Sequence, residues 1–237
     1  MTSVITSLFA HEDALVEAAT EHLSRLLSEA LEARGKASLM LSGGSSPEPV
    51  YRALFRKGLP WDGVGIGLVD ERWVPADHAA SNAGFIASCR SGTPAERAQF
   101  LPLYNGAETP EAGLAAAEQA LALLPQPFDI CVMGMGSDGH TASWFPGSDG
   151  LAAALDMASR DKVAAVDATG CPGAGEHTDR MTLTLPAIHL AAHTVLLLPS
   201  GEKMQVFQAA ADRDVMDAPV KALLGLGEKL SVFGLEE

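Results

Sequence analysis

Three short apolar runs constrain this chain more than any other feature. Residues 37–41, 64–69 and 128–133 each have the length of a strand, and each stops at residues rich in chemistry. The endings are Ser42-Gly43-Gly44-Ser45-Ser46-Pro47, Asp70-Glu71-Arg72 and Gly134-Met135-Gly136-Ser137-Asp138-Gly139-His140. Helical text separates them. Over 11–34, Leu15, Ala19, Leu23, Leu26, Leu27, Ala30 and Leu31 recur at three- and four-residue steps up to Gly35, the pattern of an amphipathic helix with a glycine stop. The spacing predicts further helices over 49–55, 112–124, 186–191, 202–211 and 219–224. It predicts strands over 100–103, 163–166, 181–185, 194–198 and 231–233. Alternating strands and helices imply an α/β fold, a doubly wound, mostly parallel sheet with helices on both faces. In such sheets ligands bind at the carboxyl ends of strands, where all three unusual endings fall. No repeat or linker interrupts the 237 residues, so one domain over 1–237 is expected, with 170–179 (GCPGAGEHTD) as its loosest and most mobile loop.

Charge excludes several partners. Thirty acidic against 16 basic residues give a formal net charge of −14, which disfavours nucleic acid and anionic membranes, both of which need a basic face. A phosphorylated substrate would be repelled at long range, so an anion site must be built locally from a few Arg, Lys and backbone N–H groups. No run approaches the roughly 18 apolar residues that cross a bilayer, and the amino terminus, MTSVITSLFAHED, lacks the basic and apolar regions of a signal peptide. Cys89, Cys131 and Cys171 are odd in number and widely spaced; they read as free thiols of a cytoplasmic protein.

Each ending has an ordinary and a functional reading. In the turn 42–46, two glycines let the backbone approach a ligand, and free N–H groups with the Ser45 and Ser46 hydroxyls would suit an anion; a serine-capped tight turn is the ordinary alternative. Gly134 to Gly139 satisfies G-x-G-x-x-G, with Asp156 further on, and so mimics a dinucleotide fingerprint. An acid and an imidazole where a pyrophosphate would lie argue against that. His140, at a strand's carboxyl end before Trp144 and Phe145, has the setting of a general acid–base, and Asp138 could fix its tautomer. The other histidines, His11, His22, His78, His177, His189 and His193, read as surface or fold residues. Asp70, Glu71 and Arg72 offer two carboxylates and a guanidinium, either a site or a salt-bridge cluster. Lys203 sits one turn into a helix, where a phosphate-binding lysine would be. Arg180 begins a strand, which in a purely parallel sheet would place it away from the rest. No serine elbow, no cysteine beside a base and no metal-ligand spacing is present.

Taken in order, SGGSSPEPVYRAL, VDERWVPADHAASN, FDICVMGMGSDGHTASWFPGS, RMTLTLPAI and SGEKMQVF resemble the 6-phosphogluconolactonases over about residues 10–235. These are grouped with glucosamine-6-phosphate deaminases and ribose-5-phosphate isomerases. The tail SWFPG separates the chain from the deaminases, which carry FNEP after an equivalent DGH and use that acid. The resemblance implies a modified doubly wound fold, no cofactor, and opening of a phosphosugar lactone in the oxidative pentose phosphate pathway. It implies His140 as general base, with Asp138, Arg72 and Asp70 as its catalytic partners. Ser42, Gly43, Gly44, Ser45, Ser46, Arg180 and Lys203 would hold substrate, the phosphate above all. Ser46 stands where Thr is usual and Ser137 where Pro is common, and the 170–179 loop lacks the PKPP-like text found before this segment. An amino-sugar phosphate deaminase and a non-catalytic sugar-phosphate sensor are the alternatives; monomer and dimer both stay open.

Overall fold

The computed structural model describes residues 4–236; residues 1–3, part of the stretch read for a signal peptide, and residue 237, at the two ends of the expected domain, lie outside it. The strands are β1 (Ile5–Phe9), β2 (Ala37–Leu41), β3 (Val64–Leu68), β4 (Asp70–Arg72), β5 (Gln99–Phe100), β6 (Ile130–Met133), β7 (Val163–Asp167), β8 (Asp179–Leu183), β9 (His193–Leu198) and β10 (Leu230–Leu235). The helices are α1 (Glu12–Arg34), α2 (Glu48–Leu54), α3 (Asn82–Arg90), α4 (Pro110–Leu121), α5 (Leu151–Leu155), α6 (Leu185–Leu190) and α7 (Gly201–Ala210).

Every residue of β2, β3 and β6 is buried. Strands without in/out alternation must be covered on both faces, as in a parallel sheet under helices. Seven strands in the order β1-β10-β9-β6-β2-β3-β5 form that sheet, with all neighbours parallel. Helix α1 buries Leu15, Ala19, Leu23, Leu26, Leu27, Ala30 and Leu31 against β2, β6 and β10. At about 1.5–3 kcal/mol for each buried leucine, this stripe is a principal anchor of the layer. Gly35 ends α1, its N–H returning to the Leu31 carbonyl at 2.7 Å.

Chain order reverses around β2. The chain runs outward through β3 to β5 and then returns to place β6 on the other side of β2. A crevice opens at such a switch point, and the turns after β2 and β6 flank it, joined by Ser42 N–H to the Val132 carbonyl at 3.1 Å.

Two expectations are corrected by the structure. Asp70-Glu71-Arg72 is not the end of a parallel strand but a strand of its own, in a second sheet of order β4-β8-β7 that is antiparallel throughout. Its register sets Arg72 opposite Arg180. The position expected for Arg180, away from the other candidates, is therefore corrected: antiparallel pairing carries the start of β8 back to the crevice. The residues after 219 form not an α-helix but a 3₁₀ segment, Pro219–Lys229, broken at Gly227. Among the described residues, no helix is long and apolar enough to cross a membrane.

Candidate active site

The first of the sequence endings to reach the crevice is the turn after β2. Gly44 has φ +103, a left-handed conformation open to glycine at little cost. Gly43 is required by a close approach instead, because a Cβ there would overlap the side-chain amide of Asn82. Asn82 in turn donates from Nδ2 to the Asp70 carbonyl at 2.9 Å and to Asp70 Oδ1 at 3.3 Å. The turn and β4 are thus locked together by one buried amide. Lys203 arrives from α7, whose first turn is capped by Ser200 Oγ accepting Lys203 N–H at 3.2 Å. Its Nζ donates to Ser46 Oγ at 2.8 Å. Burial pulls the Lys203 ammonium below its ordinary value, with Glu202 opposing.

After β6 the chain makes a closed loop: Gly136 N–H bonds the His140 carbonyl at 2.9 Å, and Thr141 Oγ1 donates to the Gly134 carbonyl at 2.7 Å. The dinucleotide reading needs a helix N-terminus directly after these glycines, and the next helix begins only at Leu151. What the loop builds is a pair. His140 Nδ1 and Asp138 Oδ1 are 2.6 Å apart, and the same oxygen accepts His140 N–H at 3.1 Å. A carboxylate only accepts, so Nδ1 carries the proton and Nε2 the free lone pair. Burial pushes the Asp138 carboxyl up, but the hydrogen bonds and charge of His140 together outweigh it and leave the pKa below the ordinary value. Asp138 therefore stays ionised through mildly acidic conditions.

Ala142 has φ +48, a conformation that costs a non-glycine residue about 1–2 kcal/mol. The turn it bends, closed by Trp144 N–H to the Thr141 carbonyl at 3.0 Å, aims two neighbours. Ser143 Oγ donates to Asp70 Oδ2 at 2.7 Å, and the Phe145 ring lies 4.4 Å from the His140 ring.

The three side chains of the DER strand serve different ends. Glu71 is fully buried and accepts the N–H groups of Arg72 (2.9 Å), Asn82 (2.7 Å) and Ala83 (2.8 Å) and the Ser81 hydroxyl (3.2 Å). It closes the N-terminus of α3. Burial pushes its carboxyl up to about 7 against the pull of those amides. Glu71→Ala leaves several buried donors unpaired at about 1–3 kcal/mol each; with water relieving some, a loss of at least about 2 kcal/mol, or about 4–8 °C in Tm, is expected. A calorimetric Tm equal to wild type would remove Glu71 from this role. Arg72 donates from Nη1 to the Ala80 carbonyl at 2.7 Å. Arg180 is 3% exposed and gives Nε to the His177 carbonyl (2.7 Å) and Nη2 to the Ala174 carbonyl (2.6 Å), leaving Nη1 4.0 Å from Asp70 Oδ2. Burial lowers its guanidinium to about 10, with Asp70 opposing.

These groups converge on one cavity of about 290 Å³. Ser42, Gly43, Gly44, Ser45, Ser46, Asp70, Arg72, His140, Arg180 and Lys203 all line it, and Asp138 stands behind His140. Three cations thus face one lining carboxylate in a protein of net charge −14. Asn82, Phe145 and Gly173 line it too and had not been singled out as site residues in the sequence. Asn82 and Phe145 lie in the segments VDERWVPADHAASN and FDICVMGMGSDGHTASWFPGS that carry the resemblance, whereas Gly173 lies in none of them. Among the described residues no group of three or more His, Cys, Asp or Glu is placed to hold a metal ion, and all three cysteines are free thiols.

Comparison with known proteins gives one consistent family. The family model described as glucosamine-6-phosphate isomerases/6-phosphogluconolactonase matches residues 10–231. A 6-phosphogluconolactonase of Rhizobium meliloti is 41% identical over 218 residues, 92% of each chain. One from Xylella fastidiosa is 38% identical over 93% of this chain and 92% of its own. The crystal structure of a 6-phosphogluconolactonase from Shewanella baltica superposes with a TM-score of 0.91 at 36% identity, covering 99% of this chain and 98% of that one.

Proposed function

This chain belongs to the glucosamine-6-phosphate isomerase and 6-phosphogluconolactonase family, and from that premise we propose that it hydrolyses 6-phospho-D-glucono-1,5-lactone to 6-phosphogluconate with His140 as general base. The observation that carries the assignment of roles is the 2.6 Å Asp138–His140 pair in the same cavity as the Lys203–Ser46 contact. One end of the cavity handles protons and the other suits a dianion, as a phosphorylated lactone requires.

In the reaction, water gives a proton to His140 Nε2 while its oxygen adds to the lactone carbonyl. Asp138 accepts from Nδ1 and stabilises the imidazolium that forms. The tetrahedral oxyanion is met by a cationic donor, Arg72 or Nη1 of Arg180; such a donor can be worth roughly 3 kcal/mol. The ring C–O bond then breaks, and His140 returns its proton to the departing ring oxygen. The products are the free hydroxyl and the carboxylic acid, which ionises. The turn 42–46 and Lys203 grip the phosphate, so binding energy remote from the reaction orients the carbonyl.

Phe145, an apolar ring, packs on His140; a deaminase would need an acid in the segment after Asp138-Gly139-His140. This favours lactone opening over amino-sugar chemistry. The substrate is a small phosphosugar, and the free thiols suit the cytoplasm and its pentose phosphate pathway. The test generates the lactone in situ from glucose 6-phosphate with its dehydrogenase, at mildly acidic pH, and follows its loss. Faster loss with the protein supports the reading. Unchanged loss together with ammonia release from glucosamine 6-phosphate would replace it with the deaminase.

A further inference from the structure

We propose that the segment 168–179 is a fixed cover over the Asp138–His140 pair, and that Gly173 within it is a positioning residue that holds the Asp138 carboxylate in its orientation toward His140. The inference rests on the reading of His140 as general base.

Its part 170–179 reads as loose in sequence because it is rich in glycine and polar residues, yet the segment is tied at several points. Ala168 N–H donates to the Thr178 carbonyl at 3.0 Å, and Thr169 Oγ1 to Thr178 Oγ1 at 3.2 Å, closing the two ends of the loop on each other. Within the loop, Cys171 N–H bonds the Ala168 carbonyl and Ala174 N–H the Cys171 carbonyl, both at 3.0 Å. Phe145, Ala168 and Ala174 form a small apolar cluster of their own, with Cys171 packed against it. Arg180 then clamps the loop from below through the carbonyls of Ala174 and His177. Its guanidinium lies 5.3 Å from the Phe145 ring centre, the same ring that touches His140. The His177 ring also meets the His78 ring edge to face at 4.8 Å.

This anchoring puts the main chain of Gly173 against the pair. A Cβ at 173 would overlap Asp138 Oδ2 and lie 2.8 Å from His140 Nδ1. Asp138 Oδ1 takes both bonds from His140, while Oδ2 faces the glycine. Any side chain at 173 would displace the carboxylate from this orientation, and glycine leaves it room. His140 itself lines the cavity. Arg180 acts here a second time. Two of its three nitrogens hold the cover, so it positions the pair through Ala174 and Gly173 besides offering Nη1 to the site.

The test compares wild type, Gly173→Ala, Asp138→Asn and the double variant in the lactone assay. Position 173 is exposed, so the alanine variant is expected to fold, with an unchanged Tm as the control. Its kcat should fall about 10- to 100-fold with KM little changed, the effect of misplacing a catalytic group by about an ångström. In the double variant the alanine should add no further loss. The deshielded Nδ1 proton of His140, read by NMR in the ligand-free protein, should weaken or move upfield in Gly173→Ala. Full kcat in that variant, or losses that multiply in the double, would overturn the proposal. Should wild type fail to open the lactone, the function reading fails, and the proton resonance still decides the cover. Arg180→Lys supplies a second test independent of position 173: amide exchange at Cys171 and Ala174 should speed up, and unchanged protection there would remove Arg180 as the clamp.

Discussion

His140→Ala is expected to lower kcat for lactone hydrolysis by about 10²- to 10⁴-fold, the range a positioned general base contributes. The loss should fall on kcat rather than KM, because the imidazole acts on a water proton that is in flight only in the transition state. Its residual rate should stay above the spontaneous opening, since Arg72, Arg180 and the phosphate grip of Lys203 and Ser46 remain. Asp138→Asn is the informative companion. The 2.6 Å contact would then join an imidazole to an amide that can donate as well as accept, so the ring can settle in the tautomer with its lone pair on Nδ1. That loss should approach the loss from removing the ring, and the double variant should be no worse than His140→Ala. Unchanged turnover in His140→Ala, measured by the in situ lactone assay at mildly acidic pH, would remove the imidazole from the mechanism and leave only the Arg–phosphate framework.

The parts of this site that were legible in the sequence were those encoded locally. Leucines at helical steps gave α1, and glycine at 35 gave its end. Short apolar runs stopping at SGGSS and GMGSDGH gave both edges of the crevice, because a strand's carboxyl end is where an α/β sheet exposes backbone. Three features were hidden for physical reasons. Asp70, Glu71 and Arg72 are too few to show a period of two, so their identity as a strand in an antiparallel sheet could not be read. Arg180 depends on that sheet: only the pairing of β8 with β4, about 110 residues away in sequence, brings it to the cavity. Gly173 and Asn82 act through close approach, one by lacking a side chain and the other by pressing an amide on Gly43. Such contacts leave no local signature. β1 was missed for a plainer reason: as an exposed edge strand, burying none of its five residues fully, it shows no apolar run.

Lys203→Ala tests how an acidic protein holds a dianion. The residue reaches across from α7 to Ser46 at 2.8 Å, so its charge sits at the turn 42–46 that lines the cavity. A hydrogen bond to a charged group contributes about 1.5–3 kcal/mol, and at 1.36 kcal/mol per factor of ten its loss should raise KM about 10- to 150-fold. The kcat should stay within a few-fold, because the phosphate is remote from the carbonyl and the Asp138–His140 pair is untouched. Salt adds an independent signature. At physiological ionic strength the screening length is about 8 Å, so added salt weakens two opposed effects: long-range repulsion from a net charge of −14 and the attraction of cations in the cavity. In wild type, raising ionic strength should raise KM as the local attraction fades. In Lys203→Ala much of that attraction is already gone while the repulsion remains, so KM should rise less steeply with salt, or fall. If kcat drops while KM and its salt dependence match wild type, Lys203 serves the chemistry and not the grip, and the phosphate must lie elsewhere in the cavity, toward Arg72 and Arg180.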